Sequence, residues 1–432
     1  MKPVYNFVSE DSGLITKTVS GFIPETAVIP LKKNGQDDVE ILVKAGDEVK
    51  EGQVIARSSD TCSHSSIPGK VENIIRSKFA DGSEGYAAKI RLEGVFSFSG
   101  KKLLETRWQA KDVQNLLFRI REGGVLNTFS EPVPLNVQIK KLDRSSDRFL
   151  IVRLYSEDPS RITDDFVTDH YFEKIKTGIA VTAKAMEARG ILLAFDSRKP
   201  LPDGLEKEFE QETACVSMDS RNYPNGFMHE IVSSAKKTFK NSNSVFSTLG
   251  NRDLFIDSVT ALNVYNAVVL EKPEITVELH VTGDCLNAGA VMTLKTGTLL
   301  RDVVAQAGGF KRQPGKIIIN GKITGNSISA LDIPVSKEIK SVAFVPFSQL
   351  PDQKKQHCIR CGNCLKICPM NLSPEALYRC FTNMDFKDEN LKLIEKTAAL
   401  CTECSLCNSV CPSRLPLSQT IALLKKEKND EK

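Results

Sequence analysis

The chain has 432 residues, 41% of them hydrophobic and 26% charged, and a formal net charge of +4. This length predicts three or four domains at about 100–150 residues each, and the longest apolar runs are only strand-sized, which excludes a transmembrane helix. A weak net charge without a basic, aromatic-rich stripe argues against nucleic acid as a partner. The first residues contain no apolar signal segment, so we expect an intracellular protein whose thiols stay reduced.

Residues 1–105 are predicted to form a β domain in which glycine and proline mark the turns. Tight turns and short buried strands are indicated by Gly46, Gly52, Val49, Val54 and Ile55. The pattern resembles the barrel-sandwich fold of lipoyl and biotinyl domains. Those domains display a modifiable lysine on a hairpin tip, whereas the stretch from Asp60 to His64 contains none. Because that stretch has no lysine, we expect an unmodified domain with a docking or structural role. A metal site is not expected there either, because Cys62 and His64 alone are too few to hold a metal.

Residues 106–272 are predicted to form an α/β domain. Its predicted elements, in chain order, are a helix over 110–122 ending at Gly123-Gly124, a strand from Phe149 to Tyr155, a helix over about 170–189, a strand from Ile191 to Phe195, and a helix from Phe255 to Leu270. A strand, a helix and a strand in this order predict a parallel sheet.

Residues 273–350 are predicted to form a small α+β unit that looks like a β-grasp domain. The pattern indicates a half-buried strand through Ile275, Val277, Leu279 and Val281, a helix capped by Thr298 that runs through Ala307 and ends at Gly308-Gly309, and a strand from Lys316 to Asn320.

Residues 351–432 hold nine of the twelve cysteines, and eight of these nine form two copies of one spacing in which the last cysteine precedes a proline. The first copy consists of Cys358, Cys361, Cys364 and Cys368, and the second of Cys401, Cys404, Cys407 and Cys411. Between them we predict short helices, with Pro374 opening one of them and amphipathic helices over Leu391–Leu400 and Leu417–Leu424. This spacing is typical of proteins that bind two [4Fe–4S] clusters.

Each copy is expected to share its ligands between two clusters. Three thiolates at intervals of three residues can hold three irons of one cubane, and the fourth cysteine serves the other cluster. One cluster is therefore assigned to Cys358, Cys361, Cys364 and Cys411, and the second to Cys401, Cys404, Cys407 and Cys368. Structural zinc is disfavoured because it commonly uses CxxC pairs a dozen or more residues apart. The other thiols, Cys215, Cys285 and Cys380, have no partner at ligand spacing and are interpreted as core residues.

The order of these four regions resembles the C subunit of the Rnf complex, a peripheral component of a membrane-bound ion-translocating oxidoreductase. The resemblance covers essentially the whole chain, and beyond the cysteines it rests on Gly46-Asp47, Gly52-Gln53, Tyr223-Pro224-Asn225-Gly226, Asn263-Val264, Asn266-Ala267-Val268, Val281-Thr282-Gly283 and Ala307-Gly308-Gly309-Phe310. The α/β region is also similar to the flavoprotein subunit of complex I, and the following unit to soluble-ligand-binding β-grasp (SLBB) domains. The resemblance implies a location on the cytoplasmic face of the inner membrane, with other membrane subunits as partners.

The same resemblance implies FMN and NADH in the α/β domain, held by a loop of the form Gly-Gly-Ala-Gly-Phe-Pro-Thr. The corresponding stretch begins Gly123-Gly124-Val125-Leu126, and only the two glycines match. We expect Val125 and Leu126 to place side chains where glycines would let backbone N–H groups approach phosphate. FMN is therefore disfavoured, and Gly123 and Gly124 are read as remnants. The A subunit of the sodium-translocating NADH:quinone reductase is similar in sharing these domains without being the NADH site.

Glu157 and Asp158 fall where the resemblance places acidic residues near the nicotinamide. Two interpretations stay open: that they serve a flavin site with a remodelled loop, or that they are ordinary surface carboxylates on a scaffold, which we favour. In the second case the clusters are the electron entrance. Basic residues around the first cysteine copy would then steer an acidic carrier such as ferredoxin or flavodoxin.

The sequence thus predicts a protein that passes single electrons through two [4Fe–4S] clusters as part of an Rnf-type complex, without an assigned catalytic residue. Two alternatives are an FMN-containing NAD(P)H-oxidising flavoprotein, such as a cobalamin reductase, and a non-catalytic electron-conducting scaffold. Whether NADH is a partner is left open.

Overall fold

The computed structural model describes residues 5–6, 18–36, 38–143, 147–240, 244–350, 354–382 and 391–430. Two short strands, β1 (Tyr5–Asn6) and β2 (Thr18–Ser20), come first and pair with strands much later in the chain. In the described ranges, no helix combines the length and the apolar character needed to cross a bilayer.

The N-terminal β region consists of two facing sheets. Its strands are β3 (Thr26–Lys33), β4 (Glu40–Ile41), β5 (Glu48–Val49), β6 (Val54–Arg57), β7 (Cys62–His64), β8 (Gly69–Lys78) and β9 (Glu84–Leu92). One sheet has the order β3-β9-β8-β5 and the other β4-β6-β7. Gly46 and Gly52 have φ of +93° and +80°, so the predicted glycine turns are confirmed. Val49 and Ile55 are buried as predicted, and Val54 is half-buried.

The α/β region is built on a parallel sheet, as predicted. Its elements are α1 (Val113–Glu122), β10 (Leu126–Asn127), β11 (Val133–Pro134), α2 (Leu135–Lys141), β12 (Phe149–Arg153), α3 (Thr163–Ala185), β13 (Gly190–Asp196), β14 (Glu212–Met218), β15 (Asn222–Tyr223), α4 (Met228–Thr238), β16 (Leu254–Asp257) and α5 (Ser258–Val268). The sheet order is β14-β13-β12-β16, with every pair parallel. Helices cover both faces, which explains why β12 is buried along its whole length.

Two predicted helices in this region have wrong boundaries. Helix α3 begins at Thr163, well before residue 170, and it carries Asp164 and Asp165 in its first turn, where carboxylates favour the positive end of the helix dipole. The helix predicted from Phe255 starts only at Ser258, because Leu254–Asp257 is a strand. Asp257 caps α5 by accepting a 2.8 Å hydrogen bond from the Thr260 N–H.

The next region is a mixed six-stranded sheet with one helix. Its elements are β17 (Thr276–Thr282), β18 (Ala290–Lys295), α6 (Leu300–Gln306), β19 (Pro314–Ile319), β20 (Asn326–Ile328) and β21 (Ser341–Pro346). The order is β2-β18-β17-β21-β19-β20, so a strand from near the N-terminus completes the sheet. Assignment of this unit to the β-grasp class stays a prediction.

Some predicted details of this region differ. The predicted cap Thr298 lies outside α6, whose N-cap is Leu299, and the Thr298 hydroxyl donates to the Lys295 carbonyl instead. Strand β17 was predicted to be half-buried, but it is buried over most of its length, and even His280 is fully buried. The glycine ending is confirmed, with φ of +80° at Gly308 and +75° at Gly309.

The cysteine-rich module is helical, as predicted. Its helices are α7 (Asn363–Ile367), α8 (Pro374–Thr382), α9 (Leu391–Ala398), α10 (Leu406–Ser409) and α11 (Leu417–Asp430). Helices α8, α9 and α11 bury Leu377, Ala398, Ile421 and Leu424 in a common core. In each copy a short helix carries the third cysteine and a longer helix begins after the fourth, so the two copies are built alike.

Candidate metal-cluster site

Four thiols line each of two cavities in the cysteine-rich module. The first cavity is lined by Cys358, Cys361, Cys364 and Cys411. The second cavity is lined by Cys368, Cys401, Cys404 and Cys407. The structure therefore brings together the two crossed sets that the spacing predicted, with three thiols from one copy and the fourth from the other.

The loops around both cavities share the same unusual backbone conformations. Non-glycine residues adopt left-handed φ angles of 54° at Arg360 and 57° at Glu403, the equivalent positions of the two copies, and this pairing recurs at Asn371 and Arg414. Such conformations cost on the order of 1 kcal/mol for an L-residue and persist only where the surroundings fix them. The two cysteine loops therefore have the same backbone conformation at equivalent positions.

This loop shape points backbone N–H groups at cysteine sulfurs. The Arg360 N–H donates to Cys358 Sγ and the Glu403 N–H to Cys401 Sγ, both at 3.4 Å. The last cysteine of each copy accepts a hydrogen bond in the same way. The Leu372 N–H donates to Cys368 Sγ at 3.3 Å, and the Leu415 N–H donates to Cys411 Sγ at 3.5 Å. Donors aimed at sulfur stabilise the negative charge of thiolates and of an anionic cluster.

The two thiol sets differ in their exposure. Cys358 and Cys361 of the first set are exposed, whereas Cys368, Cys404 and Cys407 of the second are buried. Burial raises the pKa of the Cys404 thiol to about 11, although the Leu406 N–H and the Thr402 hydroxyl oppose this effect. A bound metal centre supplies the positive charge that such thiols need in order to ionise. Four thiols around each cavity are therefore suitable ligands for iron. The second set of thiols lies deeper in the protein than the first.

The second cavity also faces the α/β region. The Tyr223 hydroxyl donates a 2.7 Å hydrogen bond to the Cys404 carbonyl oxygen, and the Tyr223 ring meets Phe227 edge-on at 5.6 Å. Together with Ile367 and Leu406 these side chains form an apolar cluster against Cys404. In the sequence, Tyr223 stands out only through the family resemblance. Its contact with Cys404 could not be predicted, because no local pattern indicates a contact between residues so far apart in the chain.

Among the described residues, no three or more His, Cys, Asp or Glu side chains are grouped so that they could hold a metal ion. The four thiols of each set are instead spread around a cavity. Of the remaining thiols, Cys285 is buried in a core, and Cys215 and Cys380 are partly buried.

The predicted nucleotide loop has little capacity left for phosphate. Its N–H groups are already used: Gly124 donates to the Arg121 carbonyl, Val125 to Ile120, Leu126 to the Glu274 carboxylate and Thr128 to the Thr260 hydroxyl. The expectation that Val125 fills the loop space is wrong, since its side chain is buried in the α/β core. These residues do not fit an FMN phosphate, because a helix-end anion site requires unpaired N–H donors.

The same loop is covered by two other regions. The Lys337 ammonium donates to the carbonyl oxygens of Gly124 and Cys62, at 2.8 and 3.3 Å. Gly124 has φ of +66°, and a Cβ there would lie 2.4 Å from the Cys62 carbonyl oxygen. The stretch from Asp60 to His64 corresponds to the hairpin tip that carries the modified lysine in lipoyl-like domains. In this chain it packs against the Gly123 loop and makes a structural contact.

Glu157 and Asp158 are not surface carboxylates, so that part of the favoured interpretation is wrong. Asp158 is fully buried, and its Oδ2 accepts from the N–H groups of Ile323 and Thr324, at 3.0 and 3.3 Å. Burial raises the pKa of Glu157, whose carboxylate lies 3.3 Å from the Arg161 guanidinium. Asp158 therefore serves the contact between the α/β region and the mixed sheet, whereas Glu157 is paired with an arginine of its own region.

Two segments of the chain match known family models. Residues 15–94 match the RnfC barrel sandwich hybrid domain, and residues 354–415 match the 4Fe-4S dicluster domain. The predicted barrel-sandwich fold of the N-terminal region and the predicted dicluster module are thereby confirmed.

Curated relatives extend this similarity along most of the chain. The C subunit of the proton-translocating ferredoxin:NAD(+) oxidoreductase complex of Clostridium ljungdahlii is 27% identical over 361 residues, which cover 82% of this chain and 78% of the relative. The C subunit of the ion-translocating oxidoreductase complex of Rhodobacter capsulatus is 24% identical over 368 residues, which cover 82% and 69%. The relative from Yersinia pestis is matched over 58% of its length. The predicted resemblance to the Rnf protein is confirmed.

Among solved structures, the chain resembles an NAD+-reducing [NiFe]-hydrogenase at 13% identity, with TM-scores of 0.43 and 0.49 for its air-oxidised and H2-reduced states. The matches cover 67% and 72% of this chain, but only 53% and 61% of the hydrogenase chain. Likeness at this level supports no statement about function.

Proposed function

We propose that this chain is the peripheral electron-transfer subunit of an Rnf-type ion-translocating oxidoreductase, passing single electrons through two [4Fe–4S] clusters. The observation that carries the proposal is the pair of cavities, each lined by four thiols, in a chain whose relatives are Rnf subunits. The clusters would supply reversible one-electron chemistry. The relatives described above do not favour the cobalamin reductase and inert scaffold alternatives.

The ligand assignment forms part of the proposal. Cys358, Cys361, Cys364 and Cys411 hold the first cluster, and Cys401, Cys404, Cys407 and Cys368 hold the second. Crossed ligation ties the two loops together, since neither cluster is complete without the other copy. The protein's own contribution is to hold these sulfurs, donate N–H groups to them and keep water from the second set.

Electrons are exchanged with an acidic carrier protein, ferredoxin or flavodoxin, at the first cluster. Residues 354–361 are all exposed, and Ile359 and Leu365 expose 68% and 49% of their surface. Basic side chains surround them: Lys354, Lys355, Arg360, Lys366 and Arg379. Among described residues 354–382 the single carboxylate is Glu375, which lies 3.7 Å from Arg379. An apolar centre with a basic rim is complementary to an acidic carrier.

The α/β region is proposed to bind neither FMN nor NADH. This rests on the occupied N–H groups of the Gly123 loop and on the structural use of Asp158. We further propose four domains, at 1–105, 106–272, 273–350 and 351–432, and docking on the membrane subunits at the cytoplasmic face of the inner membrane.

Anaerobic purification followed by iron, sulfide and flavin analysis tests the proposal. We expect about eight iron atoms and eight sulfides per chain, no flavin, and cluster reduction by reduced ferredoxin or flavodoxin but not by NADH. Stoichiometric FMN with rapid reduction by NADH would refute it. Cys368→Ala should damage the second cluster and Cys411→Ala the first, whereas Cys380→Ala serves as a control that retains both.

A further inference from the structure

The two cysteine copies differ at the position between their first and second cysteines. The first copy has Ile359 there and the second has Thr402, and each side chain lines the cavity of its own copy. Ile359 is 68% exposed and has no polar group to offer. Thr402 places a hydroxyl in the deeper cavity, so the two sites differ chemically although their loops match.

The Thr402 hydroxyl is a buried polar atom that makes no hydrogen bond of normal geometry among the described residues, although it lies close enough to the Cys404 thiol to lower the pKa of that thiol. A buried hydroxyl that makes no hydrogen bond costs on the order of 1–3 kcal/mol, so such an atom calls for an acceptor. The side chain lies beside the Cys404 thiol and lines the same cavity as all four thiols of the second set. A thiol is a weak acceptor, whereas a cluster-bound thiolate is an anionic one.

We propose that Thr402 donates its hydroxyl proton to the Cys404 sulfur of the bound second cluster and thereby raises the reduction potential of that cluster. Reduction adds one electron, whose charge is spread over iron and sulfur. A hydrogen bond to sulfur stabilises the reduced state more than the oxidised state. The electron comes from the carrier protein or a chemical reductant, and no bond is formed or broken. This inference rests on the proposed function.

The rest of the second site strengthens the effect of a single donor. Cys404 and Cys407 expose only 7% and 8% of their surface, and Tyr223 and Phe227 cover the side that faces the α/β region. A hydrogen bond is stronger where water does not compete with it. At the exposed first site, solvent supplies the corresponding stabilisation, and a hydroxyl at position 359 would face water.

EPR-monitored redox titration of the anaerobically purified, cluster-containing protein tests the inference. Thr402→Val should shift the midpoint potential of the second cluster to a more negative value and leave that of the first cluster unchanged, whereas Thr402→Ser should retain the wild-type potential. Ile359→Thr is the matched control and should shift neither potential. Cys361→Ser and Cys404→Ser, which alter one cluster each, identify which signal belongs to which cluster.

The outcomes separate this inference from the proposed function. An unchanged second potential in Thr402→Val with full iron content overturns the inference alone, and so does an equal shift of both clusters. A wild-type chain that lacks two clusters overturns the proposed function instead. If Thr402→Val loses iron, Thr402→Ala repeats the test with a smaller side chain. Loss of the second cluster in both, with retention in Thr402→Ser, shows that the hydroxyl is required at that site.

Discussion

The Tyr223 hydroxyl donates a 2.7 Å hydrogen bond to the carbonyl oxygen of Cys404. Tyr223 belongs to β15 of the α/β region and is only 1% exposed, so the bond is shielded from water. Burial raises the pKa of the Tyr223 phenol above its usual range, so it remains a donor at any physiological pH. The loop that carries Cys404, a proposed ligand of the second cluster, is therefore fixed directly to the α/β region.

Tyr223→Phe removes this donor and leaves a buried carbonyl oxygen unpaired. We expect a loss of about 1–3 kcal/mol in the free energy of unfolding, together with an altered EPR line shape of the second cluster. Tyr265→Phe is the control, because it removes a hydroxyl that donates to Glu105 at 2.6 Å, away from the cysteines. Tyr265→Phe should leave both EPR signals unchanged. Altered signals in both variants, or in neither, would contradict a specific Tyr223–Cys404 coupling.

Asp158→Asn distinguishes a structural carboxylate from a nucleotide-site carboxylate. Its Oδ2 accepts from two N–H groups of the mixed-sheet region and its Oδ1 accepts from the Ser160 N–H, so an amide in either orientation would place a donor against an N–H group. We expect a loss of about 1.5–3 kcal/mol in the free energy of unfolding, since bonds to a charged acceptor are involved. Cluster reduction by the carrier should be unaffected in the folded fraction.

Asp203→Asn, at an exposed position, is the control for Asp158→Asn and should leave stability unchanged. A variant Asp158→Asn that unfolds like the wild type but loses a measurable NADH oxidation would restore the nicotinamide interpretation of that carboxylate.

The grouping of the cysteines could be predicted from the sequence, because three thiols of each set lie on one local loop and the crossing of the fourth thiol follows from the known behaviour of this spacing. Intervals of three residues and a following proline fix the loop shape, and the structure places the eight thiols in the two predicted sets. The parallel sheet was predictable because a strand, a helix and a second strand follow one another along the chain.

Contacts between distant segments could not be predicted in this way. Asp158 looked like a surface residue because its donors, Ile323 and Thr324, lie in another region of the chain. The start of α3 was predicted too late, because its first turn contains the acidic residues Asp164 and Asp165 and shows no run of apolar residues at helical spacing. The proposed hydrogen bond from Thr402 to the Cys404 sulfur could not be predicted either, because it is inferred from the burial of the Thr402 hydroxyl, which no sequence pattern shows.

His64 should make stability depend on pH below neutrality. Burial, followed by the nearby Lys337 charge, lowers its pKa from 6.5 to about 3. Below pH 6.5 the unfolded chain therefore binds a proton that the folded chain does not, and folding stability falls by about 1.4 kcal/mol per pH unit. His64→Gln should remove this part of the slope, and unfolding of both proteins between pH 8 and 5.5 measures it. Identical slopes would show that His64 is not kept neutral by the fold.

Charge reversal on the surface around the first cluster should weaken the exchange of electrons with an acidic carrier. Lys366 and Lys355 are exposed in this surface, and Lys366→Glu or Lys355→Glu replaces attraction by repulsion. We expect the second-order rate of cluster reduction to fall about tenfold at low ionic strength, and the difference from wild type to shrink as salt screens the charges. Stopped-flow reduction with reduced ferredoxin or flavodoxin measures both effects.

Lys70→Glu, on β8 of the N-terminal region, is the control: it changes the net charge equally and should leave the rate of cluster reduction unchanged. Equal losses in all three variants would indicate a general charge effect, and no loss in any would show that the carrier docks elsewhere.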